Sequence, residues 1–145
     1  MFSKSCQYAL QAILYIAMYS SDQNLVTLKE ISDSQDIPKH FLGKIMQELS
    51  KRKFVISITG PNGGFYLSEP PESMYLMSIV EAIDGLGIFD VCGIGFKTCS
   101  DASPCPLHKD FKIVKNEIRQ LLSQKSVVEL CQDVKDGKSI VSFKS

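Results

Sequence analysis

The sequence predicts a mainly α-helical fold with one small β-hairpin and a long helix toward its C-terminus. Three observations predict it. Apolar residues recur at helical spacing in several separate stretches. One β-branched and aromatic run, folded about a glycine-rich turn, interrupts the helices after Lys53. A near-heptad apolar stripe then marks the last long helix.

The elements follow in order. The first helix carries Leu10, Ile13, Leu14 and Ala17 on one face and ends near Ser20, in a polar stretch. Thr27 followed by Glu30 is a capping box, in which each side chain satisfies a free backbone N–H at a helix start. It opens a short helix that reaches about Ser34, and Gln35-Asp36-Ile37 is a tight connection. Pro38 suits the first turn of a third helix, where its missing N–H costs nothing. That helix places Phe41, Leu42, Ile45 and Leu49 inward and leaves Lys39, His40, Gly43, Lys44 and Gln47 outward. Two short helices joined by about three residues, the second with exposed basic and polar groups, form a helix-turn-helix pattern. Phe54 to Ile58 reads as a strand, Thr59-Gly60-Pro61-Asn62-Gly63-Gly64 as a turn and Phe65 to Leu67 as the returning strand. This hairpin is a wing, and Gly63 and Gly64 at its tip would admit a sugar-phosphate chain closely. Leu76, Ile79, Val80 and Ile83 mark another helix, stopped by Gly85.

From Leu86 to Pro106 periodicity fails, and glycine, proline and cysteine residues mark a loop. The final long helix runs from about Leu107 to Ser123, with Phe111, Val114, Ile118, Leu121 and Leu122 as its stripe. A chain this short offers that helix little of its own to pack on, so a second copy is its expected cover. The organisation is therefore a winged helix-turn-helix over 1–85, a cysteine-bearing loop over 86–106, a dimerisation helix with a short cap over 107–130, and a flexible tail over 131–145.

Composition bounds the class. The 145 residues are 44% hydrophobic and 22% charged, as in an ordinary soluble globular protein. No apolar run is long enough to span a bilayer. Met1 to Ser20 is interrupted by Lys4, Gln7 and Gln11 and lacks a cleavage site, so it does not read as a signal peptide. The expected compartment is the reducing cytoplasm, where cysteines more often bind metal or sense oxidants than form structural disulfides. The net charge is zero, yet Lys39, Lys44, Lys51, Arg52 and Lys53 cluster against Glu48 alone. Such a local basic surface suits phosphates, although a solvated helix face has the same composition.

Of five cysteines, three lie in the loop as Cys92-x6-Cys99-x5-Cys105, and His108 follows one helical turn later. Thiolates are soft ligands for iron–sulfur clusters, zinc and copper(I). Three thiolates and an imidazole complete two positions on each iron of a [2Fe–2S] cluster, or one tetrahedral zinc. The same loop could also hold reactive thiols with no metal. Cys6 and Cys131 read as packing residues. No Ser-His-Asp set, P-loop or H-E-x-x-H is present, so no catalytic residue is expected.

These pieces together resemble the Rrf-type regulators of bacteria, whose branches include IscR-like, NsrR-like and CymR-like proteins. The matching residues are Tyr8-Ala9, Leu28-Lys29-Glu30-Ile31, Ile37-Pro38, Phe41-Leu42 and the wing Gly60-Pro61-Asn62-Gly63-Gly64-Phe65-Tyr66-Leu67. Val80-Glu81-Ala82-Ile83-Asp84-Gly85 and Cys105-Pro106-Leu107-His108 complete the match, which runs to about Leu130. The resemblance implies a homodimer that binds double-stranded operator DNA and carries an iron–sulfur cluster on Cys92, Cys99 and Cys105. His108 matches the fourth ligand of the IscR-like branch. The nitric-oxide-sensing branch has a carboxylate where this chain has Gln7, which favours a [2Fe–2S] site with His108. The first cysteine gap is one residue longer than in IscR-like proteins.

At the DNA-facing positions this chain departs from the IscR-like pattern. It has Gly43 and Lys44 in place of a Glu and a Gln, and Thr59 in place of an Arg suited to a minor groove. The expected contacts are Lys4 and Lys39 to phosphates, and His40 and Lys44 to base edges. Thr27 and Pro38 at the helix starts, with Thr59, Asn62, Gly63 and Gly64 of the wing, complete the set. Two other readings stay open: a regulator without a cofactor, sensing oxidants through thiols or binding a small metabolite, and a winged module for protein partners.

Overall fold

The computed structural model describes residues 1–139. Helices α1 (Lys4–Tyr19), α2 (Leu28–Gln35) and α3 (Lys39–Lys51) come first. Strands β1 (Val55–Ile58) and β2 (Gly64–Leu67) follow, then α4 (Leu76–Asp84), α5 (His108–Gln124) and α6 (Val127–Lys135). The fold is mostly helical with one antiparallel hairpin, as the sequence predicts. Among the described residues no helix is long and apolar enough to cross a membrane.

Helix α1 is the hub, packing against α2, α3, α4, α6 and β2. Its buried face is Cys6, Ala9, Ala12, Ile13 and Ile16. This corrects the expected stripe, of which only Ile13 is buried, while Leu10, Leu14 and Ala17 are half-buried. The reason is steric. Ala9 and Ala12 let neighbouring elements approach along their line, and the bulkier leucines fill the flanks.

The helix-turn-helix forms as its caps dictate. The Thr27 hydroxyl accepts from Glu30 N at 3.1 Å. Asp36 ends α2 in the left-handed region at φ 55°, which a short polar side chain tolerates. Pro38 stands at the N-cap of α3, one residue before the helix proper. Leu42, Ile45, Met46 and Leu49 are buried beneath α3. Full burial of a leucine contributes about 2 kcal/mol. Phe41, expected inside, is instead exposed. It sits at the edge of the apolar face and meets Tyr8 of α1 edge-on at 6.0 Å.

In the wing, Val55 pairs with Leu67 and Ile58 with Gly64. The free edge of β2 is bridged by the segment entering α2. Phe65 N donates to Val26 O at 2.7 Å, and Val26 N donates to Phe65 O at 3.1 Å. The wing is therefore fastened to the helix-turn-helix rather than projecting freely.

The C-terminal part departs from expectation. Cys131 is buried and lies within α6, which packs on α1 and continues to Lys135. The expected tail from residue 131 thus begins as packed helix, because Val127 and Cys131 form a buried face and a capping box at Ser126 and Glu129 starts the helix. The rest of that expected tail, residues 140–145, lies outside the described residues. Leu76 N donates to Lys125 O at 3.0 Å and Val127 N to Met74 O at 2.8 Å, fixing the joint between α5 and α6 to the start of α4.

Candidate metal centre and nucleic-acid interface

The loop between α4 and α5 brings its three cysteines together. Their sulfurs all lie within 4.8 Å of one another, a grouping able to hold a metal ion. Cys92 Sγ and Cys105 Sγ are 3.5 Å apart, and Cys105 N donates to Cys99 Sγ at 3.3 Å. His108, the first residue of α5, places Nδ1 3.1 Å from Cys99 Sγ. It thus touches the group through Cys99. A cavity of about 370 Å³ opens over these residues, with Asp101 and Lys112 on its wall.

Sequence reasoning missed what holds this loop. Four side chains one helical turn apart on α5 grip it, since residues three or four apart share a helix face. His108 Nε2 lies 2.8 Å from Asp101 Oδ1. Lys112 Nζ donates to both oxygens of Asp101, at 3.0 and 2.9 Å. Lys115 Nζ donates to the carbonyl of Val91, and the Arg119 guanidinium lies 4.9 Å from the centre of the Phe89 ring. Phe111, expected at a dimer seam, also lies against the loop and stays 36% exposed. A Cβ on Gly93 would fall 2.5 Å from its ring.

The remaining stripe residues also divide. Leu122 is buried in the chain's own core, which removes it from the expected intermolecular face, while Ile118 is half-buried against that core. Val114 and Leu121 stay exposed, at 49% and 58%, and Ile113 joins them at 53%. Only Leu122 is buried along the whole of α5.

The thiols differ in reactivity. Desolvation opposes ionisation of Cys92, but the backbone N–H groups of Ile94, Phe96 and Gly95, with the Cys105 thiol, outweigh it and bring Cys92 down to about 6. Desolvation and the neighbouring Cys92 and Cys99 sulfurs hold Cys105 above the ordinary thiol value. Burial pushes the Cys6 thiol up to about 12, helped by the charge and hydrogen bond of Asp84, and burial also raises Cys131. Hydrogen bonds from His108 and then Lys112 keep Asp101 below the usual carboxylate range.

Lys39, His40 and Lys44 are exposed along the start of α3, and Lys4 is exposed at the start of α1. Lys4 Nζ sits 5.4 Å from the Tyr8 ring centre. Thr59 and Asn62 are exposed at the wing tip, as is Pro38 at the head of α3. Thr27 is half-buried, with its hydroxyl committed to capping α2. The wing glycines need correction. Gly64 is buried, and a Cβ there would meet Val26 O at 2.6 Å, while one on Gly63 would meet Ile58 O at 2.1 Å. Gly63 is glycine because the wing's own backbone approaches it, and Gly64 because the segment entering α2 does.

A further tie connects the loop side to this surface. Ser3, the N-cap of α1, donates from its backbone N to Asp84 Oδ2 at 2.9 Å and from its hydroxyl to Asp84 Oδ1. Asp84 ends α4, where the cysteine loop departs, and Ser3 adjoins Lys4.

The chain matches the Rrf2 family, described as iron-dependent transcriptional regulators, over residues 2–133. A protein of Aquifex aeolicus (strain VF5), provisionally named an HTH-type transcriptional regulator, is 33% identical over 131 residues, covering 89% of this chain and 90% of the relative. The HTH-type transcriptional regulator IscR of Vibrio campbellii (strain ATCC BAA-1116) is 29% identical over 127 residues, 88% of this chain and 74% of its own length. Among solved structures, CymR, the global cysteine regulator of B. subtilis, has a TM-score of 0.76 at 19% identity, covering 91% of this chain and 96% of that one. IscR of T. potens has a TM-score of 0.74 at 20% identity, with 99% and 94% covered. Likeness at those identities speaks to the fold, and the fold is the winged helix-turn-helix. By a family match over nearly its whole length, the chain belongs to the Rrf2 family, a family of transcriptional regulators and not of enzymes.

Proposed function

We propose that this chain is a cytoplasmic, homodimeric transcription regulator that binds operator DNA under the control of an iron–sulfur cluster held by Cys92, Cys99, Cys105 and His108. The observation that carries the reading is the convergence of three thiols within 4.8 Å, with His108 Nδ1 beside Cys99. The donor set fits the group: three soft sulfurs and one imidazole nitrogen supply four protein ligands, as a [2Fe–2S] centre needs. When bound, such a cluster supplies a redox- and iron-responsive state to the loop.

The chain's own residues suggest how the loop speaks to DNA. Ligation would tie Cys92 and Cys99 to Cys105 and to His108, the first residue of α5. Contacts from Lys112, Lys115 and Arg119 then carry loop order along that helix. The exposed apolar face of Ile113, Val114 and Leu121 is offered to the same face of a second copy, so a shift of α5 would reset the spacing of two recognition helices. In the proposed DNA contacts, Lys4 and Lys39 reach phosphates, His40 and Lys44 reach base edges, and Thr59 and Asn62 lie at the wing tip. The departure at Thr59 implies an operator unlike that of IscR-like proteins.

The test is anaerobic isolation of the full chain. A coloured protein with visible absorbance bands, iron and acid-labile sulfide supports the reading. A colourless protein containing zinc or no metal contradicts it. A second reading has its own support: Cys92 and Cys105 sulfurs stand 3.5 Å apart and Cys92 ionises readily, as suits a thiol pair. In that reading hydrogen peroxide takes two electrons and both thiol protons, its O–O bond breaks to give two waters, and an S–S bond forms between Cys92 and Cys105. Non-reducing mass mapping of the colourless chain after peroxide treatment distinguishes it, by a loss of two hydrogens across Cys92 and Cys105.

A further inference from the structure

Asp101 lies outside the four donors, yet two residues of α5 hold it. Backbone hydrogen bonds run both ways between Ser100 and Ser103, at 3.2 and 3.1 Å, and close a small turn that presents Asp101 toward α5. Its Oδ1 lies 2.8 Å from His108 Nε2, and Lys112 Nζ reaches both of its oxygens.

The chemistry of these groups has one consistent arrangement. An ionised carboxylate only accepts hydrogen bonds, so the proton between Asp101 and His108 belongs to Nε2. A neutral imidazole carries one N–H, so Nδ1 keeps its lone pair. That lone pair faces Cys99 Sγ at 3.1 Å. Were Asp101 absent, the tautomer protonated on Nδ1 would be free to form, with its N–H turned to the Cys99 sulfur and no lone pair on that side.

We propose that Asp101 is a positioning residue: by accepting a hydrogen bond from the Nε2–H of His108 it commits the Nδ1 lone pair to the cysteine group, with Lys112 holding the carboxylate in place. The claim rests on the reading of His108 as a donor given above. Metal-binding histidines commonly donate their second N–H to a carboxylate, and loss of such a partner costs roughly 10- to 100-fold in metal affinity. Asp101 is largely exposed, so its effect is orientation rather than a strong contribution to fold stability.

The experiment uses the full chain labelled with 15N-histidine. In the cluster-free form at a pH of about 8, where an ordinary imidazole is neutral, long-range 1H–15N spectra report the tautomer of each histidine. His40 is the internal control, as the chain has two histidines. The expected result is a dominant Nε2–H form at His108, a mixture in Asp101→Ala, and restoration in Asp101→Glu, with His40 unchanged throughout. A dominant Nδ1–H form in the parent chain, or an unchanged ratio in Asp101→Ala, overturns the proposal. After cluster reconstitution, Asp101→Ala should lose iron to a chelator roughly tenfold faster than the parent chain, with a shifted reduction potential, and Asp101→Glu should resemble the parent. Equal lifetimes and potentials overturn it. A parent chain that never gains visible bands defeats the iron–sulfur reading by itself, while the tautomer measurement still decides what Asp101 does.

Discussion

The helix-turn-helix with its wing and the cysteine loop with α5 are held by different forces. In the first, apolar burial dominates: Ala9, Ile31, Leu42 and Leu49 are inaccessible to solvent, and even Gly63 and Gly64 of the wing are pressed against backbone. In the second, α5 buries only Leu122, and the loop is fastened by exposed polar contacts from Lys112, Lys115 and His108. Exposed ion pairs contribute roughly 0–1 kcal/mol each. The packed region therefore has one arrangement well below its competitors, whereas the loop region can be ordered or released by a ligand of modest binding energy.

The largest expected effect breaks the packed region. Leu49→Ala removes a fully buried side chain from the last turn of α3, and urea unfolding should report a loss of about 3 kcal/mol. Cys105→Ser in the cluster-free chain should change the same midpoint by less than about 1 kcal/mol. Equal losses would erase the contrast between the two regions.

Next in size is Gly64→Ala, whose new Cβ meets Val26 O and Leu25 Cβ. Overpacking of this kind costs about 1–3 kcal/mol. It should pull the wing from the segment before α2 and weaken DNA binding at least several-fold, although Gly64 is itself buried. Undiminished operator affinity by fluorescence anisotropy would mean that the wing does not need this seat.

Lys44→Ala sharpens the distinction between kinds of DNA contact. A base contact predicts a loss of about 1–3 kcal/mol confined to particular operator positions. A phosphate contact predicts a uniform weakening and a salt slope lower by about one. The proposed role at base edges requires the first outcome.

The smallest effect concerns thiol chemistry and leaves the fold untouched. A group whose folded value lies near 6 is largely thiolate at neutral pH, and one near 12 is protonated. In the cluster-free chain, Cys92 alkylation should level off a little above pH 6, while Cys6 should stay unmodified until the protein unfolds. Mass-mapped iodoacetamide labelling across pH checks both. Equal rates at Cys92 and Cys6 would contradict the burial pattern.

The legibility of these features in the sequence follows the range of the interactions behind them. Local signals read well. Thr27 and Glu30, Pro38, the Gly60 turn and the break at Gly85 mark elements that the structure places within a residue or two. The cysteine spacing likewise pointed to a common site, because Cys105 and His108 share one helical turn. Long-range packing read poorly. Periodicity puts Phe111, Ile118 and Leu122 on one intermolecular stripe, but Leu122 enters the core, and one side of the exposed Phe111 ring lies on Gly93. Apolar spacing states which residues share a face, not what that face meets. The start of α6 carries at Ser126 and Glu129 the same pattern that announces α2, but the polar residues after Cys131 read as a tail. Asp101 and Asp84 carry no local signature at all, since their partners lie 7 and 81 residues away.

The most direct measurement of regulator function is an operator titration with cluster-loaded and cluster-free protein, at one salt concentration and under anaerobic conditions, on a duplex selected from a random pool. If ligation of Cys92, Cys99, Cys105 and His108 repositions α5 and its partner, the two affinities should differ by roughly 5- to 150-fold, the range of allosteric coupling between distinct sites. Identical affinities from a demonstrably loaded and a demonstrably empty chain would contradict control by the cysteine loop.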